Sequence, residues 1–257
     1  MRFHEFGTDS PDILLVVQPR LVTWDVLLPD IRLLSERYHV VVPVLPGHDF
    51  QDGGDFWSVE RTAKELEDGL IARGYLDILG ALGIDIGGSV VVRLLADSRI
   101  RIMHAIIDEG VLPHQGSSIV SKLEAARDYL SYEAAKLSVP KGLGRLAEHI
   151  SSEEERGIIC GTLQRISTRS VWNLSASCHS YELPKGPIGG GSAVEYWYAE
   201  GSRKRRRQDI RTVEQAIPTA KIVKFPDAHP LEFALHHAHE YSLRIQHALA
   251  EPVPAAC

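Results

Sequence analysis

Asp85 is the residue best placed by its neighbours to do chemistry. It lies in Gly83-Ile84-Asp85-Ile86-Gly87-Gly88, between the apolar run from Leu76 to Leu82 and the β-branched stretch from Ser89 to Leu95. That order predicts a strand, a tight turn and a helix packed on a sheet. Glycines two before and two after the central residue permit a sharp bend that turns its side chain into a pocket. A carboxylate is ionised at pH 7 without help, so it needs no base to attack carbon. A histidine would then activate water or accept a proton, and His229 is the candidate. It follows Phe225-Pro226-Asp227-Ala228, between the last expected strand and the final helix. His236, His237 and His239 lie closer to that helix and are expected at the surface.

The elements that must hold these groups alternate over the first 112 residues, as in a parallel sheet wound with helices. Ile13 to Val17 and Val40 to Val44 are the first two strands. A helix over 25–37 separates them, with Pro29 early, where proline is tolerated. A second helix starts at Ser58, whose side chain can cap it. Leu76 to Leu82 is the third strand, Gly83 to Gly88 the turn, and Ile102 to Ile107 the fourth strand. Residues 113–190 break the alternation with three helical patterns, at 117–137, 143–149 and 153–180, a helical cap insertion within a single domain spanning 1–257. Ala193 to Tyr198 and Ile222 to Phe225 are the last strands, and a helix over 238–250 closes the chain.

Composition narrows the partners. Apolar residues make up 44% of the 257 and charged ones 24%, as in globular proteins, and no apolar run reaches the length of a membrane span. The polar N-terminus predicts a cytoplasmic protein. Cys160, Cys178 and Cys257 are too few and scattered for a disulfide framework or a zinc site. A net charge of -6 speaks against nucleic acid. The run from Arg203 to Arg207 is expected to form the solvated face of an amphipathic helix. Neither a cofactor nor a metal is expected: the Gly83–Gly88 turn lacks dinucleotide spacing, and the histidines lack ligand spacing. The expected partner is a mainly apolar small organic molecule, and a homodimer is possible.

Over nearly its whole length the chain resembles the α/β-hydrolase fold family. The resemblance rests on the segments His39 to His48, Gly83 to Gly88, Ala105 to Gly110 and Phe225 to His229, in this order and spacing. It implies an α/β-hydrolase fold, a mostly parallel sheet flanked by helices, with Asp85 where most members carry serine. Members with aspartate there, such as epoxide hydrolases and haloalkane dehalogenases, form an alkyl ester at an sp³ carbon. A histidine-activated water then hydrolyses it.

The departures are informative. After the first strand the family usually has His-Gly, whereas here stand Gln18-Pro19-Arg20-Leu21. Pro19 has no N–H, leaving the Ile86 and Arg20 amides to stabilise an oxyanion. The usual third acidic position is Ser202, which shifts that role to Glu109, with Asp108 and Glu200 behind it. Ile86 replaces the tryptophan that dehalogenases use for halide. Epoxide hydrolases donate to the opening oxygen from tyrosines of their insertion; Tyr129, Tyr132 and Tyr181 lie in this insertion, with core packing as the alternative role for each, and Trp24 and Trp172 complete the expected binding surface. The resemblance therefore implies opening of an epoxide, by water or an internal hydroxyl, possible in a specialised-metabolite pathway. The alternatives are a non-hydrolytic cyclase, isomerase or lyase and a ligand-binding member without activity.

Overall fold

The structure is a computed structural model, and it describes residues 1–51, 54–113, 118–137, 157, 161–226, 228 and 231–253. Seven strands form one sheet in the order β1-β3-β2-β4-β5-β6-β7, where β1 is Phe3–Phe6, β2 Ile13–Val17, β3 His39–Pro43, β4 Asp77–Ile84, β5 Arg101–Asp108, β6 Ala193–Ala199 and β7 Lys221–Phe225. Every pairing is parallel except that of β1 with β3. The strand β1 is absent from the sequence reading because its four residues, Phe-His-Glu-Phe, are too few to establish a period and place their two polar groups side by side.

Helices cover both faces. Leu28–Ser35 (α1) and Ala238–Leu249 (α8) pack on one side, around Leu14, Val40, Ile106 and Trp197. Val59–Ala72 (α2) and Ile86–Asp97 (α3) pack on the other, around Leu15, Val41, Ala81 and Ile107. Strands buried on both faces explain the unbroken runs Ile13–Val17 and His39–Pro43. Ser58 caps α2 as expected, its side chain accepting from the Arg61 amide.

Within the 113–190 segment, Ser118–Leu137 (α4) and Thr168–Ser180 (α5) pack against each other. The expected helix at 143–149 lies outside the described residues. The expected helix over 153–180 is not continuous: Ser167 caps a fresh start, its hydroxyl accepting from the Ser170 amide. Beyond β6 come Arg203–Ala216 (α6) and, after β7, the short Glu232–His236 (α7). No helix among the described residues is long and apolar enough to cross a membrane.

The turn at the end of β4 is tighter than its sequence implied. The strand runs through Ile84 and the helix begins at Ile86, so Asp85 alone makes the bend, at φ 53° and ψ -111°. The flanking glycines are forced by backbone proximity. A Cβ on Gly83 would meet the carbonyl oxygen of Gly87, and one on Gly87 would meet that of Val17. The strand order reverses between β2 and β4, so Asp85 and the loop after β2 meet at the switch point of the sheet, where crevices open in such folds.

Candidate active site

Asp85 is buried, and among the described residues its carboxylate is engaged by Arg20. Arg20 Nε lies 2.6 Å from Oδ2, Arg20 Nη2 2.8 Å from Oδ1, and the Arg20 backbone N–H donates to Oδ2 at 3.2 Å. Burial pushes the carboxyl upward, but the adjacent guanidinium outweighs it and holds Asp85 below the usual carboxylate range. Arg20 is driven well above its ordinary value by the same pairing, against its own desolvation. The position that lost a family donor to Pro19 thus gains three donors from the next residue.

Other predicted site residues divide by surroundings. Tyr132 faces this pair from α4: its phenol lies within electrostatic reach of Arg20, Asp128, Asp85 and Cys178, and burial raises its pKa, so it stays protonated. Tyr129 instead packs edge-on against Trp172, joining α4 to α5, and Trp172 is exposed. The Tyr181 hydroxyl donates to the Val111 carbonyl at 3.2 Å in the core. Gln18 is fully buried and its Nε2 donates to the Val22 carbonyl, which closes the loop that presents Arg20. The Ile86 side chain is also in the core, so only its backbone, at the start of α3, is placed to meet a ligand. Trp24 stacks on His4 at 4.0 Å beside Phe6, at the β1 edge.

His229 lies outside the described residues. Its neighbour Ala228 lines a cavity of about 10 Å³, room for about one water, with Asp108, Glu109, Phe225 and Tyr241. Glu109, at φ 53°, sends its carboxylate to the end of β6, where it accepts from the Ala199 amide at 2.7 Å, the Ser202 hydroxyl and Arg206 Nε at 2.6 Å. Ser202 thus binds an acid supplied by the residue that follows β5. Asp108 accepts from the Tyr241 hydroxyl at 2.6 Å, and its backbone oxygen accepts from the Asp85 amide. Burial, with the Glu109 charge added, pushes the Asp108 carboxyl up to about 7 despite the tyrosine.

Two features escaped sequence reasoning. The first corrects the reading of the basic run: Arg206 is buried and paired with Glu109 and Asp209, and only part of the α6 basic face is solvated. A helical wheel cannot show this, because the run is charged all round and the inward position is chosen by Glu109, 97 residues earlier. Arg205, 4.0 Å from Glu109, has its charge disfavoured by burial and by Arg206. The second is His48, buried against the Arg20–Leu21 turn.

With this geometry in place, known structures can be compared. The chain is similar over 96% of its length to an α/β hydrolase family protein from Desulfitobacterium hafniense, all of which is covered, at a TM-score of 0.76 and 19% identity. The chain has the α/β-hydrolase fold. MenH from S. aureus shares that fold at a TM-score of 0.74 and 15% identity, with 96% of this chain and 97% of that one covered. The epoxide hydrolase CorEH shares it at 0.69 and 14%, with 95% and 93% covered. No protein-family model matches the sequence, and no curated protein matches it. At these identities the α/β-hydrolase fold is what is shared.

Proposed function

We propose that this chain is an enzyme that opens an epoxide on a mainly apolar small organic molecule, using Asp85 as nucleophile and His229 as base, beneath a cap formed by the 113–190 insertion. The observation that supports it most is the convergence of the Arg20 backbone N–H and Nε on one carboxylate oxygen, Oδ2, of a residue kept ionised at the bend. In this reading Oδ1 attacks a ring carbon, the carbon–oxygen bond of the epoxide breaks, and the alkoxide takes a proton from Tyr132. The ester carbonyl is then Oδ2. Water, giving its proton to His229, adds to the Asp85 carboxyl carbon, and the oxyanion develops on Oδ2 between the two Arg20 donors. Collapse breaks the bond between the carboxyl carbon and Oδ1; the His229 imidazolium gives its proton to the departing alkoxide, the second water proton passes from the new carboxyl group to the Tyr132 phenolate, and the diol, the carboxylate, the neutral imidazole and the phenol result.

The pairing that depresses the pKa of Asp85 lowers its basicity and its nucleophilicity alike, so the acid-base cyclase, isomerase or lyase reading stands beside the covalent one until the product on Asp85 is measured. One observation supports the ligand-binding reading instead: Oδ1, the attacking oxygen, is also held, by Arg20 Nη2 at 2.8 Å. Peptide mass spectrometry after incubation with styrene oxide separates the two. An ester on the Asp85 peptide that accumulates in His229→Ala, and ¹⁸O from water entering Asp85 in a single wild-type turnover, are the expected results. Substrate turnover with no label in Asp85 would transfer the reaction to acid-base chemistry, and no turnover of any epoxide tested would reject the epoxide reading.

A further inference from the structure

His48 stands in the turn Pro46-Gly47-His48 after β3, and no step proposed above uses it. Its side chain is almost completely buried. Nε2 lies 3.1 Å from the Leu21 amide nitrogen, and Nδ1 lies 3.3 Å from the Pro46 carbonyl oxygen. An amide nitrogen can only donate and a carbonyl can only accept. Both contacts are satisfied by one form of the ring alone, the neutral imidazole protonated on Nδ1.

Leu21 explains why such an anchor is needed. Its φ of 60° is in the left-handed region, where the Cβ of a branched apolar side chain crowds the following carbonyl oxygen. Arg20 immediately precedes it, and the direction of the Arg20 N–H toward Asp85 Oδ2 depends on how this turn is set. The geometry points to His48 as a positioning residue that, as a neutral imidazole, fixes Leu21 in its left-handed conformation and so aims the Arg20 amide at Asp85. The charged groups facing the ring are Asp85 and Arg20, and they neutralise each other. Burial lowers the His48 pKa to about 4, so the accepting lone pair persists through the physiological range.

The role in catalysis rests on the nucleophilic reading of Asp85, whereas the positioning itself is independent of it, and the test has an arm for each. In the wild type, imidazole ¹⁵N shifts should show a neutral ring protonated on Nδ1 from pH 5 to 8; an Nε2–H ring would overturn the proposal. His48→Leu removes the acceptor, and Leu21 amide exchange should accelerate at least about tenfold while the Asp85 carboxyl titrates higher. His48→Gln, which keeps an acceptor, should restore both. Equal behaviour of the leucine and glutamine variants, or no change in either, would reduce His48 to packing. If the leucine variant does not fold, the ring tautomer and the glutamine variant decide. With styrene oxide, His48→Leu should slow ester hydrolysis about 10–100-fold and leave ester formation nearly unchanged, because only the first develops an oxyanion. Absence of any ester, with the spectroscopic results intact, would reject the epoxide reading and retain the positioning role.

Discussion

Arg20→Met is the most informative single change in this protein, because it separates a buried ion pair from an incidental surface contact. The two side chains are only 9% and 12% exposed, with charge-assisted bonds at 2.6 and 2.8 Å. Removing one partner of such a pair strands the other charge and costs about 3–5 kcal/mol, against at most about 1 kcal/mol for an exposed pair. Asp85→Asn strands Arg20 and should also destabilise. The double variant should fall short of the summed losses by about 2–3 kcal/mol, since neither charge is then left alone. The contribution of this group between pH 5 and 8 should change from flat to sloped. In the wild type the Asp85 pKa is depressed, so its contribution is complete above the unfolded carboxylate value and is lost as pH falls through the folded one. In Arg20→Met burial has only the more distant Arg206 charge against it and the pKa rises, so relative to the wild type stability should grow as pH falls from 8 to 5. Urea denaturation of the four proteins at pH 5 and 8 measures both effects. Strictly additive losses under about 1 kcal/mol, unchanged by pH, would refute the claim that this pair organises the site.

Three further outcomes follow from separate parts of the molecule. Asp30 in α1 is buried with no partner among the described residues beyond its own backbone amide, and burial raises its carboxyl to about 7. The folded state therefore holds this proton more tightly, and stability from this group declines between about pH 4 and 7; Asp30→Asn should remove that decline and stabilise the protein at pH 8 by roughly 2–4 kcal/mol, read by urea midpoints. Gly87→Ala forces a Cβ onto the Val17 and Gln18 carbonyls and should cost more than about 3 kcal/mol in thermal unfolding, whereas Gly190→Ala, with open space around it, should stay within about 0.5 kcal/mol. Tyr132→Phe should slow ester formation about 10²-fold. Tyr181→Phe, which loses a core bond to Val111, should lower stability by about 1 kcal/mol and leave ester formation alone.

Most of the fold was legible in the chain because apolar runs, turn glycines and the Ser58 cap are local signals. The parallel strands, the helices over them and the bend at Asp85 follow from periodicity and from where glycine is required. The limits of that reading are equally physical. Phe3–Phe6 is too short to show a period, and the single-residue bend at Asp85 depends on the Val17 and Gly87 carbonyls closing in from either side. Asp85 was found from its own neighbours, but that its charge is bound by Arg20, that Glu109 joins Ser202 and Arg206, and that His48 braces Leu21 depend on residues 65, 93, 97 and 27 positions apart. A sequence fixes which groups can ionise or donate. Burial and the choice of partner, which set their pKa values and directions, arise only when the sheet brings the ends of β2, β3, β4, β5 and β6 together.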